Sequence, residues 1–435
     1  MERPLTALFV DCDSYFASVE QHLDPALRGR PVGVAPVMAE TSCCIAASYE
    51  AKAFGVKTGT RISDARNMCP GIAIVEAKPP EYIRFHHQVI AAVEDCIHVE
   101  AVLSIDEMWA WLPYNLREPA TVEAIGRKIK VAVARDVSPV ITVSIGAGPN
   151  KYLAKIASKM RKPDGLFIIE HRQLPGILHP LKLRDFTGIG SSMEARLHAV
   201  GIRTVEGLCD ATKPDLHKAW GGVLGDRLWH LLRGDEIPDL PTSRKSLGHS
   251  HVLPPDSRVP AKAWPILCKL LHKACERLRS EGLLCGSLTL QLGFVRGPSW
   301  SADARTVETD STITLMHLME RLWQQRPEPG CLILKVGVVL TRLCEQGGYT
   351  PQLFQDDGNA NTNTKAHANT NTHAGSAAGT NDNTEKHQRL DAALDKLRAR
   401  YGRKVIYYGS VQESRDEAPM RIAFSHIPDA ELEGD

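Results

Sequence analysis

The sequence predicts an α+β protein made of two β-α-β-β-α-β units with a helix-rich stretch between them. Three observations predict it. Apolar runs of strand length, such as Ala7-Leu8-Phe9-Val10, alternate with amphipathic stretches of helix length, such as 81–97. The same alternation returns after a break at 241–246. Two acidic runs, Val10-Asp11-Cys12-Asp13 and Ser104-Ile105-Asp106-Glu107, each sit in or just after an apolar run that reads as a buried strand.

The first strand leads into Ser14-Tyr15-Phe16-Ala17-Ser18-Val19-Glu20, whose apolar spacing is helical. Pro25, Gly29 and Pro31 mark a loop, and a strand follows at 32–34. Residues 43–47 form a short apolar run, and Tyr49-Glu50-Ala51-Lys52-Ala53-Phe54 reads as a helix ended by Gly55. An amphipathic helix at 81–97 precedes strands at 101–105 and 108–112, which flank the second acidic pair. A helix at 122–137, a strand at 140–145 and a basic helix at 150–162, ended by Pro163 and Gly165, complete the first unit.

Short helices fill 171–240, and Pro241-Thr242-Ser243-Arg244-Lys245-Ser246 reads as a linker. The second unit has strands at 247–253, 286–296, 304–310 and 331–343, with helices at 260–281 and 312–326. Asn, Thr, Ala, Gly and His dominate 356–386; that composition builds no core and predicts disorder. A helix at 389–401, a strand at 405–408 and an extended stretch at 420–428 close the chain.

Bulk properties bound the function. At 435 residues, 43% hydrophobic and 24% charged, the composition is that of a soluble globular protein of two to four domains. No apolar run reaches membrane-spanning length, and no signal pattern precedes the first strand, so a cytoplasmic protein is expected. Eleven cysteines without a single C-x-x-C pair predict buried reduced thiols and exclude a paired-ligand zinc site. The net charge is only +1, yet 241–350 holds 14 Lys and Arg against 9 Asp and Glu, an excess that suits an anionic partner.

Carboxylates at strand ends are costly to bury together unless cations neutralise them. Mg²⁺ prefers carboxylate oxygens together with substrate phosphates. Two ions so held clamp the attacking and leaving oxygens of a phosphoryl transfer. Either acidic run alone could merely cap a turn; the two together point to that chemistry.

The stretch Phe9-Val10-Asp11-Cys12-Asp13-Ser14-Tyr15-Phe16-Ala17-Ser18-Val19-Glu20 resembles the N-terminal motif of Y-family (DinB/UmuC-type) translesion DNA polymerases. Ser104-Ile105-Asp106-Glu107 resembles their second metal motif, and Tyr49-Glu50-Ala51-Lys52-Ala53-Phe54-Gly55-Val56 their fingers motif. Ser144-Ile145-Gly146 and the run through Lys162-Pro163-Asp164-Gly165 resemble their last palm motif. The four motifs occur in the family's order.

The resemblance implies a right-hand polymerase. Its palm is 1–22 and 81–170, its fingers 23–80 and its helical thumb 171–240. A linker at 241–246 leads to a β-α-β-β-α-β little finger at 247–355, the low-complexity insert 356–386, and a C-terminal helix, strand and tail at 387–435. It implies addition of dNTPs to a primer on a DNA template, at low fidelity and past lesions, using two Mg²⁺ ions. Asp11 and Asp106 bridge the ions, Glu107 ligates the one beside the primer, and the Cys12 carbonyl completes the nucleotide side. Asp13 is expected to serve as a hydrogen-bonding residue, and Tyr15 to pack in the core.

Phe16 is implied as the ring that rejects a ribose 2′-hydroxyl. Tyr49, Lys52 and Lys162 are implied as triphosphate contacts, although the family usually carries arginine where this chain has Lys52. Asp185-Phe186-Thr187-Gly188-Ile189-Gly190 resembles a helix-hairpin-helix whose Gly188 and Gly190 bring backbone N–H groups to a DNA phosphate. Arg244, Lys245 and Ser246 are further candidates for phosphate contact, and Gln352-Leu353-Phe354 resembles a sliding-clamp peptide. A monomer is expected. Two other readings use similar features: a non-catalytic DNA-binding accessory paralogue, which should have lost the acidic cluster, and a nucleotide cyclase, which should lack the hairpin and the second unit.

Overall fold

The computed structural model describes residues 3–240, 243–327, 330–348, 380–402 and 406–414, which fall into two compact units, 3–240 and 243–414. In the first unit β1 (Ala7–Cys12) is buried at every residue, as its unbroken apolar run requires of a central strand. Ser14, at φ 48°, turns the chain sharply into α1 (Tyr15–Leu23). A small sheet follows, built from β2 (Val32–Ala35), β3 (Ala46–Ala47) and β4 (Ala73–Glu76), with the helices α2 (Tyr49–Lys52) and α3 (Ile62–Met68) between β3 and β4 in the chain. Its strand order is β3-β2-β4, with β2 and β4 parallel.

The chain then returns to the first sheet through α4 (Pro79–Glu94), β5 (Ala101–Val102), β6 (Glu107–Trp111), α5 (Pro119–Asp136), β7 (Val143–Gly148), α6 (Lys151–Met160) and β8 (Leu166–Ile168). The sheet order is β5-β6-β1-β7-β8, so β1 lies at the centre with β6 and β7 antiparallel on either side. Ala7 and Phe9 of β1 pack beneath Ala154 of α6, with Trp109 against them. Helix α6 rides unusually close to β7. A Cβ on Gly146 would stand 2.1 Å from the Ser158 nitrogen and 2.2 Å from the Ala154 oxygen. Asn150 caps α6 by accepting from the Leu153 N–H, and its Nδ2 donates to the Leu231 and Asp235 carbonyls. It thereby joins α6 to the helices α7 (Ser191–Ala199), α8 (Val205–Asp210), α9 (Lys213–Trp220) and α10 (Val223–Leu232). Those helices share one apolar core with Leu153, Ile156 and Ala157 of α6.

The second unit is β9 (Ser246–Val252), α11 (Pro260–Ser280), β10 (Leu283–Phe294), β11 (Trp300–Thr309), α12 (Thr312–Gln324), β12 (Ile333–Glu345) and α13 (Thr380–Tyr401). The strands form one antiparallel sheet in the order β11-β10-β12-β9. Helices α11 and α12 cover it with Ile266, Leu267, Leu270, Leu271, Leu315 and Leu322, at helical spacing.

Several expectations are corrected. The strand read at 101–105 is only Ala101–Val102, because Val102 and Leu103 are 38% and 37% exposed and an apolar pair with nothing to pack on extends no sheet. Strand β7 starts at Val143 and not at 140, since Ser138 and Pro139 hold the chain in a turn. Strand β11 starts at Trp300, four residues before the expected 304. Elements α3, β4 and β8, of seven, four and three residues, are too short to be read from periodicity. Ser246 belongs to β9 and not to the linker, pairing with Thr341.

Helix α13 begins at Thr380, inside the tract read as disordered through 386; once a packed helix is nucleated, extending it costs little. Residues 406–408 form no strand and lead into a 3₁₀ turn at Gly409–Ser414. Residues 349–379, including Gln352-Leu353-Phe354, lie outside the described residues, as do residue 405 and the stretch 420–428. All eleven cysteines are free; seven are buried and Cys43 is exposed. Among the described residues no helix is long and apolar enough to cross a membrane.

Candidate active site

The sheet register brings the two acidic runs together. Asp11 stands opposite Glu107 on β6 and opposite Ser144 on β7. The Cys12 N–H donates to the Asp106 carbonyl at 2.8 Å. Asp106 sits in the turn before β6, not on a strand. Three bonds shape that turn: Leu103 and Ser104 N–H groups donate to the Glu107 carbonyl, and His86 Nδ1 donates to the Ile105 carbonyl at 2.7 Å. The Ser104 hydroxyl donates to Asp106 Oδ1 at 2.6 Å.

Lysines meet two further carboxylate oxygens. Lys162 pairs with Asp11, and Lys155 of α6 donates to Glu107 Oε2 at 2.8 Å, both side chains of that second pair being 19% exposed. Burial pushes the Asp11 carboxyl up to about 6; Lys162 opposes the rise, while Asp106 and Glu107 add to it. Burial raises Asp106 too, with the Ser104 hydroxyl against the rise and Glu107 behind it. Burial would lower Lys162, but Asp11 and Asp13 outweigh it and the ammonium is raised.

Asp13 is 1% exposed and saturated. It accepts from the Thr142 and Ser144 hydroxyls at 3.0 and 2.8 Å, from the Asp164 N–H at 2.7 Å and from the Tyr49 hydroxyl at 3.3 Å. Its oxygens tie β1 to β7 and to the segment that carries Lys162, which is a hydrogen-bonding role.

The donor set fits a hard divalent cation. Asp11, Asp106 and Glu107 offer only carboxylate oxygens, and the raised acids mark negative charge that two lysines leave incompletely neutralised. Among the described residues no three acidic, imidazole or thiol side chains already surround one point. Lys162 and Ser104 hold the oxygens that ligation would use.

The residues expected at the nucleotide gather on the neighbouring side. Lys52 Nζ donates to the Ser14 hydroxyl at 2.6 Å and lies 4.3 Å from the Tyr49 ring centroid. Burial lowers Lys52, and the neighbouring Lys162 adds to that. Phe16 stacks on Tyr82, and the buried Tyr15 donates its hydroxyl to the Tyr82 carbonyl at 2.7 Å. Lys162 is engaged with Asp11 and lies 3.6 Å from Asp13, so it is not a free phosphate contact in this arrangement.

Away from this cluster, Gly190 is the N-cap of α7 and Gly188 has φ 90°; a Cβ at either would meet open space. In the second unit Arg244 ion-pairs with Glu281, so its charge is already partnered, while Lys245 is exposed. Sequence reasoning missed Lys155, Ser104, His86 and Tyr82. The one available signal was the four-residue spacing of Lys151, Lys155 and Lys159 along the basic helix.

Residues 10–159 match the model of the impB/mucB/samB family, and 244–353 match that family's C-terminal domain. Residues 184–236 match the thumb domain of DNA polymerase-iota. DNA polymerase IV of Moorella thermoacetica is 34% identical over 414 residues, covering 92% of this chain and 94% of that protein. DNA polymerase IV 1 of Bacillus subtilis is 26% identical over 443 residues, covering 96% and 95%. A solved Y-family DNA polymerase chimera, Dbh-Dpo4(243-245)-Dbh, matches with a TM-score of 0.65 at 25% identity, over 78% of this chain and 99% of that one. The chain therefore belongs to the Y family of DNA polymerases, of the DinB type, and is a DNA-binding, DNA-directed translesion polymerase.

Proposed function

We propose that Asp11, Asp106, Glu107 and the Cys12 carbonyl hold two Mg²⁺ ions beside a primer 3′-hydroxyl and an incoming dNTP. The observation that carries this is the register that sets Asp11 across from Glu107 while Cys12 bonds to Asp106. Family membership implies dependence on divalent metal. When bound, such ions acidify the attacking hydroxyl and neutralise charge on the departing pyrophosphate.

The chain's own residues do the rest by positioning. Tyr49 and Lys52 receive the triphosphate, and Lys162 joins them on leaving Asp11. Phe16 bars the ribose 2′-hydroxyl. Gly188 and Gly190 offer N–H groups to duplex phosphates without reading sequence, and Lys245, Arg244 and Ser246 add contacts from the second unit. In this reading the palm is 1–22 and 81–170, the fingers 23–80, the thumb 171–240 and the little finger 247–355. A small fingers region encloses the new pair loosely, which lowers fidelity and admits damaged templates. The enzyme acts as a cytoplasmic monomer, and Gln352-Leu353-Phe354 recruits a sliding clamp.

Primer extension past an abasic site tests the central claim. Asp106→Asn should slow single-turnover extension by about 10³-fold or more while leaving primer-template affinity within about threefold, since the loss falls on transition-state charge. Extension by that variant at the wild-type rate would remove the assignment.

A further inference from the structure

We infer that Tyr82 is a positioning residue for sugar discrimination: its ring backs Phe16 and fixes the depth at which that side chain meets the sugar of an incoming nucleotide. The inference rests on the reading of Phe16 as the residue that bars the 2′-hydroxyl, and it goes beyond it. The two rings stack with centroids 4.3 Å apart and planes 14° apart. Phe16 is half-buried, whereas Tyr82 is 1% exposed.

Tyr82 is held at both ends. Its hydroxyl donates to Glu20 Oε1 at 2.8 Å, and its carbonyl accepts from the Tyr15 hydroxyl at 2.7 Å. Glu20 is itself fully buried and keeps its second oxygen on Lys78. The Tyr15 ring lies 5.8 Å from Phe16 at a tilt of 50°, flanking it from within α1.

A bulky ring excludes a hydroxyl only if it cannot yield. An unsupported phenylalanine escapes a contact by changing rotamer. Phe16 has no such freedom on its packed side, because yielding there means displacing a ring buried in the core. Discrimination then depends on the pair of rings, although only Phe16 would touch the sugar.

The test compares kcat/KM for dCTP and CTP opposite dG, using the full chain and Tyr82→Leu, Tyr82→Phe and Phe16→Ala. Phe16→Ala should reduce the preference for dCTP by about 100-fold or more, since it removes the contact itself. Tyr82→Leu should reduce it by roughly 10-fold or more, through a lower KM for CTP, with kcat/KM for dCTP changed less than about threefold. Tyr82→Phe keeps the stack and should stay within about threefold of wild type. Should Tyr82→Leu fail to melt cooperatively, Tyr82→Met, which fills the gap flexibly, is read in its place.

A wild-type preference in Tyr82→Leu beside a relaxed Phe16→Ala overturns the backing role and leaves the reading of Phe16 intact. A wild-type preference in Phe16→Ala overturns both. An equal loss for dCTP and CTP in Tyr82→Leu, with their ratio unchanged, marks mere structural damage and also overturns the backing role.

Discussion

Burial makes negative charge on Asp11 costly. The side chain is buried, faces two other acids, and has one lysine as its main relief. A divalent cation should therefore stabilise the first unit by binding the folded form alone. The melting midpoint of wild type is expected to rise with millimolar Mg²⁺, and that of Asp106→Asn to rise less; differential scanning fluorimetry across a Mg²⁺ series measures both. At this scale the acids were legible because carboxylates beside buried apolar runs have few structural uses. Lys155 and Tyr82 were not, because each acquires its meaning from a partner on a distant element. A lysine on a basic helix looks solvated until the fold sets it 2.8 Å from Glu107. A tyrosine in an amphipathic helix looks like core until its ring is found under Phe16.

Elements transmit the geometry. Helix α6 carries Lys155, and the chain just past it carries Lys162, so its height over the sheet sets where both ammonium groups reach. That height is set by Gly146, where a methyl group would collide with backbone of α6. Gly146→Ala should destabilise the first unit by at least about 1–3 kcal/mol, measured by urea unfolding, because backbone rather than a movable side chain blocks the methyl group.

Helix α13 is bound to the second unit by charge. Arg279 of α11 makes two parallel bonds to Asp395, at 2.6 and 3.0 Å, and stands 3.7 Å from Asp391. Asp391, 1% exposed, also accepts from the Thr312 N–H and the Tyr408 hydroxyl. Arg279→Ala strands that buried acid and should cost about 3–5 kcal/mol in urea unfolding of the second unit. The central strand β1 was legible because burial on both faces leaves an unbroken apolar run. The start of α13 was not, because its first residues have no apolar pattern of their own.

For the molecule as a whole, the repeated β-α-β-β-α-β order made the two units legible from the chain alone. Their sensitivity to acid was not. His272 of α11 is buried beside Tyr408, with Arg279 and Arg398 near it. Burial first, and those arginines second, push the imidazole from 6.5 down to about 3. The unfolded chain therefore binds this proton more readily than the folded one, and stability falls as pH drops below 6.5. Unfolding of the second unit should become easier by up to about 1.4 kcal/mol per pH unit over that window. His272→Phe should flatten the dependence, as urea titrations at pH 7.5 and 5.0 would read. The placement of Asp11 has a different consequence. Its strand is the innermost of five, bonded along both edges and sealed from water, and the amides of such a strand open to exchange only when the surrounding body comes apart. Fraying at the rims thus leaves Asp11 and Glu107 in register, and heat should take catalysis away in one step with the unit that houses it.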